Sequence, residues 1–177
     1  ARDLGGHVRG KIDGQALGVK EAPATWHIVE CKSSNDKRYK ELAKLGVKEA
    51  KPDHYATMQF YMRQRDLTRA LYLCTNKDNE AIHTERVRYD CAFCDRLIAK
   101  LRTIIESDEP PPKLHEDPNA KMAFRCGWCR HKPVCHEHAW PRVNCRTCLH
   151  STPQLDGDAH WSCARWNKPL SLAEQDA

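Results

Sequence analysis

The sequence predicts an α/β fold: a core of alternating strands and helices, followed by a small region stapled by metal. Three observations carry this reading. Over residues 1–109, short β-branched or aromatic runs alternate with capped, amphipathic runs of helical period. Pro110-Pro111-Pro112 then stops the last helix and opens a linker over 110–120. Residues 121–177 are rich in Cys, His and Trp and poor in aliphatic side chains, so they cannot bury much apolar surface and need another staple.

The elements follow in chain order. Residues 6–17 read as extended chain, with Val8 and Ile12 favouring a strand and Gly14 marking a turn. Residues 19–25, which contain Pro23, read as a hairpin loop. Trp26–Lys32 is a short apolar strand that becomes charged at its end, with Cys31 facing the core. Lys37–Leu45 is a short helix ending at Gly46, and Pro52 opens a longer one through Arg65. Arg69–Thr75 is the best strand, Asn76–Asn79 a turn, and Ala81–Tyr89 the returning strand. Asp90 caps a third helix through Ile105, with Phe93, Leu97, Leu101 and Ile104 in one stripe.

Charge narrows the class of partner. The 177 residues hold 29 Lys and Arg against 24 Asp and Glu, a formal charge of +5. From Glu30 to Arg65 there are nine cationic and five anionic side chains, a local excess that suits a polyanion. No apolar run is long enough to cross a membrane, and no signal-peptide pattern opens the chain. Because the chain starts at Ala1 without Met, residues upstream are expected.

The sharpest constellation is Asp13 with Glu30-Cys31-Lys32. Side chains two apart on a strand share a face, so Glu30 and Lys32 point the same way. A preceding strand would bring Asp13 beside them. Two carboxylates at one point repel, and a divalent cation resolves the repulsion, with the Cys31 carbonyl as a third oxygen ligand. Mg²⁺ or Mn²⁺ held there suits phosphodiester hydrolysis, and Lys32 would position water or offset charge on phosphate. A strand end carrying an ordinary surface ion pair is the bland alternative.

Gly10-Lys11-Ile12-Asp13-Gly14 and Ile28-Val29-Glu30-Cys31-Lys32 resemble the PD-(D/E)XK nuclease superfamily, and more narrowly its RecB-type and lambda-exonuclease-like phage branch. The resemblance covers roughly residues 5–106. It implies a restriction-endonuclease-like core, a mixed central sheet flanked by helices. It also implies metal binding by Asp13 and Glu30 and a catalytic Lys32. Members place a further helix before the first strand, and that helix is expected to be missing here. They also carry Gln-x-x-x-Tyr on the helix after the catalytic strand: Tyr61 matches the tyrosine and joins the catalytic set, whereas Thr57 stands where glutamine is usual. His54, Thr57 and Tyr61 share a helix face, and His54 and Thr57 are candidate DNA contacts. Lys37, Arg38, Lys40 and Lys44 follow the active strand closely and are candidates for phosphate contacts, with Lys48 and Lys51 beyond them.

The tail carries two cysteine groups. Cys126 and Cys129 are spaced to bite one metal from a tight turn, and Cys135 follows. The triplet resembles the C-terminal cysteine pattern of RecB-type nucleases that hold a 4Fe–4S cluster, whose fourth cysteine lies before the nuclease core. His138 and His136 are local alternatives that would make a Cys₃His zinc site, and Cys91 and Cys94 are more distant ones. The second group is Cys145, Cys148 and Cys163, with His160 or His150, or a residue beyond Ala177, as the fourth ligand. Structural Zn²⁺ is the expected metal, because two zinc-like groups stand together, with iron–sulfur as the alternative at the first.

The expected function is a Mg²⁺- or Mn²⁺-dependent deoxyribonuclease, an exonuclease on double-stranded DNA ends in recombination or repair, in a bacterial or phage-infected cytoplasm. A recombination or single-strand annealing protein and a homo-oligomer are the expected partners besides DNA. The competing expectation is a catalytically silent, zinc-containing DNA-binding or assembly protein.

Overall fold

A computed structural model describes residues 4–176. Contacts divide the chain into two compact units, the first ending at Thr103 and the second beginning at Ile104.

The first unit is a mixed four-stranded sheet in the order β1-β2-β3-β4. These strands are β1 (Gly14–Ala16), β2 (His27–Ser34), β3 (Arg69–Asn76) and β4 (Ile82–Arg88). β1 runs antiparallel to β2, and β4 antiparallel to β3. The central pair is parallel, in register from Ile28↔Ala70 to Ser34↔Asn76. A parallel pair needs a crossover, and helices α1 (Asp36–Ala50) and α2 (Pro52–Arg65) supply it.

The helices decide which face is core. Ile28, Ala70, Tyr72, Cys74 and Val87 are buried together with Leu42 and Val47 of α1 and Tyr55, Met58 and Met62 of α2. Glu30 lies on that same face and is buried, so strand alternation turns Cys31 outward. Cys31 is exposed, contrary to the core position expected for it. Gly14 also differs from expectation. It does not turn the chain but begins β1, opposite Val29, and residues 7–12 run outside any ladder.

Asn35 caps α1, its Oδ1 accepting from Arg38 N at 3.1 Å. Gly46, at φ 77 and ψ 165, interrupts that helix where the sequence predicts its end. One more turn follows because Val47 N donates to Glu85 Oε2 at 2.7 Å. Buried Gln59 ties α2 to the exit of β4, donating to Arg88 O and accepting from Asp90 N, each at 2.8 Å. Helix α3 (Cys91–Glu106) starts where Asp90 Oδ1 accepts from Phe93 N. Its buried stripe centres on Cys94 and Ile98, one position round from the predicted one, and Ile104 faces solvent.

The second unit has little core. A 3₁₀ helix over Lys121–Trp128 precedes the short α4 (Lys132–His136). A 3₁₀ turn at Cys145–Thr147 leads into a three-stranded antiparallel sheet of β5 (Ser151–Pro153), β6 (Trp161–Cys163) and β7 (Lys168–Leu170). α5 (Leu172–Asp176) follows. Ala123, Cys126, Cys163 and Leu170 are buried, whereas Phe124, Trp128, Trp140 and Leu149 are exposed.

Candidate active site

The site forms where the chain enters β1 beside the middle of β2. Gly14 pairs with Val29, which sets Asp13 next to Glu30 and Cys31. Asp13 Oδ2 accepts a 2.8 Å hydrogen bond from Cys31 N, so its carboxylate is fixed by backbone. The approach to Asp13 is fixed as well. Tyr61 of α2 donates its hydroxyl to Lys11 O at 3.0 Å, and its ring packs where a Cβ on Gly10 would otherwise stand. Burial, and then the charges of Glu30 and Asp13, raise the Tyr61 hydroxyl above its usual value, so it stays a donor.

Lys32 closes the constellation. Its ammonium is paired with Glu30 Oε1, lies 3.6 Å from Asp13 Oδ2, and donates to Cys31 O at 3.3 Å. Burial opposes the Lys32 charge, but Glu30 and then Asp13 outweigh it and hold the ammonium above its ordinary value. One cation thus meets all three oxygens that the sequence assigns to a metal: two carboxylates and one carbonyl.

Beyond Lys32, at the C-terminal ends of parallel β2 and β3, a cleft of about 420 Å³ opens. Lys32, Asn35, Arg38, Lys51, His54 and Lys77 are among its lining residues. His54 and the buried Tyr72 share a 2.8 Å hydrogen bond through Nδ1. Burial lowers the His54 pKa and raises that of Tyr72, so the bond joins a neutral imidazole to a protonated phenol. Tyr72 is the register partner of Glu30 and went unnoticed in the sequence, as did Lys77. Lys77 reaches the cleft because its N–H bonds Ser34 O at 2.9 Å, joining the ends of the two strands. The signal was present in the crossover pattern, since open parallel sheets place ligands beyond the carboxyl ends of their strands.

The remaining expected contacts are scattered. Arg38 and His54 line the cleft; Lys37, Lys40 and Lys44 do not, and all three are exposed on α1. Lys40 pairs with Asp36 at 2.7 Å. Thr57 turns its hydroxyl to Asp53 O at 2.9 Å, a bond within its own helix. Tyr61, expected among the catalytic groups, donates to the Lys11 carbonyl and so holds the backbone that leads to Asp13.

In the second unit the two Cys-x-x-Cys turns fold alike: Cys129 N donates to Cys126 O at 3.2 Å and Cys148 N to Cys145 O at 3.3 Å. Cys126 Sγ lies 3.9 Å from His136 Nε2. His138, the ligand expected there, is exposed with a left-handed backbone. Cys163 stands opposite Ser151, whose hydroxyl donates to both Cys145 O and Cys148 O, so β5 and β6 bring Cys163 towards the second turn. His160 turns to its own loop, Nδ1 on Gly157 O at 3.0 Å and Nε2 3.5 Å from Asp156, away from the role of fourth ligand. None of the ten cysteines forms a disulfide. Among the described residues, no three His, Cys, Asp or Glu side chains are gathered tightly enough to hold a metal ion. No helix among them is long and apolar enough to cross a membrane.

No protein-family model, no curated protein and no solved structure matches this chain.

Proposed function

We propose that this chain is a metal-dependent deoxyribonuclease of the PD-(D/E)XK type, with Asp13 and Glu30 as metal ligands and Lys32 as the catalytic cation. One observation carries the reading: a single ammonium touches both carboxylates and the Cys31 carbonyl, so three hard oxygen donors converge on one point. Such a donor set fits Mg²⁺ or Mn²⁺, which keeps water in its remaining positions. When bound, the ion supplies Lewis acidity at the phosphoryl oxygen and a water of lowered pKa.

The chain's own groups do the rest. Glu30 is held at the buried face and Asp13 by the Cys31 N–H, so the fold itself sets both carboxylates in place. Lys32 offers a positive charge where charge grows on the phosphate. Arg38, Lys51 and Lys77 in the adjoining cleft supply phosphate contacts that hold a strand without reading its bases. Action at double-stranded ends within a recombination or repair complex is the biological setting this reading favours.

The test is cleavage of end-labelled linear and closed circular DNA with Mg²⁺, beside Glu30→Gln and Asp13→Asn. Linear DNA is degraded, circular DNA is not, and both variants lose activity while keeping the wild-type circular dichroism. Asp13→Asn matters because Asp13 is exposed and its amide still accepts from Cys31 N, so folding is retained. Full activity in both variants removes the site. An inactive wild type that still binds DNA favours the silent assembly role.

For the tail we propose structural zinc, with Cys126, Cys129, Cys135 and His136 at one site and Cys145, Cys148 and Cys163 at the other. Thiolate-rich sets suit zinc, and the first, with four ligands, leaves no open position for catalysis. Elemental analysis and the visible spectrum decide it: a colourless protein with stoichiometric zinc supports this assignment, and a brown one with iron replaces it at the first site by a cluster.

A further inference from the structure

The tail presents a face that neither the nuclease reading nor the zinc assignment uses. In the 3₁₀ helix over Lys121–Trp128, side chains three apart stand in one row. The row of Ala123 and Cys126 is buried, towards the first cysteine turn. The other two rows hold Lys121 with Phe124, and Met122 with Arg125 and Trp128, and all of these are exposed. Trp128 is 77% exposed and Phe124 60%, whereas rings packed over a metal site would be covered. The two rings touch edge to face, with centroids 5.8 Å apart at 82°, and each keeps a face towards solvent. At Gly127, beside Trp128, nothing lies within 4 Å of where a Cβ would stand, so the space in front of the helix is open there. Residues 121–136 include Lys121, Arg125, Arg130 and Lys132 and no Asp or Glu. Lys132 pairs with Glu137 at 3.8 Å, and Arg130 is exposed two residues beyond Trp128.

We propose that this face binds an unpaired nucleic-acid strand, with bases stacked on Trp128 and Phe124 and phosphates held by Lys121, Arg125 and Arg130. Rings and cations alternate along the helix, so a strand meets both along one line. Every base has a π-face, which makes stacking on such rings tolerant of sequence, and the cations follow the backbone. A duplex keeps its base faces stacked inside and brings only its phosphates. An acidic peptide would meet the cations but has no flat rings to lay on Trp128. A second copy of the chain is disfavoured by charge: a two-fold contact sets the same patch against itself, and so sets Arg125 and Arg130 against their own copies.

Binding to this face is independent of the carboxylates and is measured apart from cleavage. Fluorescence anisotropy of the full chain follows labelled oligothymidylate, oligouridylate and a DNA duplex of equal length, over a salt series without Mg²⁺ and without chelator. Trp128→Ala and Phe124→Ala each weaken single-strand binding about fivefold or more. Trp128→Tyr keeps the π-face and binds nearly as wild type, whereas Trp128→Leu keeps apolar surface and binds like Trp128→Ala. Arg125→Ala/Arg130→Ala lowers the slope of log K against log salt by about 1.4, at about 0.7 per phosphate contact. Leu149→Ala, an exposed apolar position in the same unit, binds as wild type does. The duplex loses less than twofold from Trp128→Ala. Ring-dependent binding of either single strand supports the proposal, and the tighter of the two identifies the sugar. Wild-type affinity in Trp128→Leu overturns it, as does equal weakening of single strand and duplex by Trp128→Ala. A dimer seen by sedimentation and broken by Trp128→Ala, with strand binding unmoved, assigns the face to a second copy instead. Equal circular dichroism and metal content in Trp128→Tyr and Trp128→Leu keep that comparison free of misfolding. A protein inactive on DNA with Mg²⁺ but ring-dependent in binding would sink the nuclease reading and keep this face. An active one with ring-independent binding would sink this face alone.

Discussion

Replacing Gly10 by alanine tests how the aspartate is held. The new methyl would stand 2.5 Å from Tyr61 Oη and 2.6 Å from its Cε1. Ordinary contact is about 3.5–4.0 Å, so ring or chain must move by about 1 Å. The ring is carried by α2 and tethered to Lys11 O, so the movement breaks that hydrogen bond. Overpacking costs about 1–3 kcal/mol. The lost bond adds about 1 kcal/mol. With a urea slope of about 2 kcal/mol/M, the unfolding midpoint falls by about 1–2 M. Tyr61→Phe loses the hydrogen bond alone and costs about 1 kcal/mol. In a Tyr61→Ala background the alanine at 10 has nothing to strike, so its cost nearly disappears and the double-mutant cycle is strongly non-additive. Because Asp13 lies three residues beyond Gly10, Gly10→Ala also raises the Mg²⁺ concentration needed for half-maximal cleavage. An additive cycle, or a Gly10→Ala protein with wild-type midpoint and metal titration, would refute this account.

Three further outcomes are expected. Gly46→Ala forces a side chain onto φ 77, ψ 165 and within 3.2 Å of Glu85 Oε1, so it lowers stability in urea by about 1–3 kcal/mol. Gln59→Leu leaves Arg88 O and Asp90 N without a partner, and chemical denaturation should show a loss of about 2–4 kcal/mol. Glu174 is held down to about 2 by the Lys168 ammonium and by bonds from Ser171. Its folded value lies below the ordinary 4.5, so the stability it contributes is full above 4.5 and is lost as pH falls through about 2. Proteolysis of the tail across that range should show the loss, and Glu174→Gln should remove the pH dependence.

The central elements were legible because their signals are local. Asp90 before Phe93, Pro52 at a helix start, Gly46 as a break and the apolar alternation of 69–75 act within a few residues, and each lies where the pattern puts it. Cys31 was misread because alternation says only that Glu30 and Cys31 face opposite ways. Which face is core depends on where α1 and α2 pack, a matter of chain crossing. The partner of Tyr61 was not legible for a related reason: a motif position gives residue type and helix face, but not that Lys11 O would stand 3.0 Å from the hydroxyl.

The residue order alone determined the α/β alternation, the weakly apolar tail and the placing of Glu30 and Lys32 on one face of a strand. Those follow from backbone propensity, hydrophobic period and side-chain chemistry, which neighbours in sequence carry with them. Only the tertiary structure decided that Lys32 meets Asp13, Glu30 and the Cys31 carbonyl together. It alone assembled Lys77 and Tyr72 around His54. Such meetings depend on strand register and helix docking, which are set by packing over the whole core rather than by any segment that contributes to them.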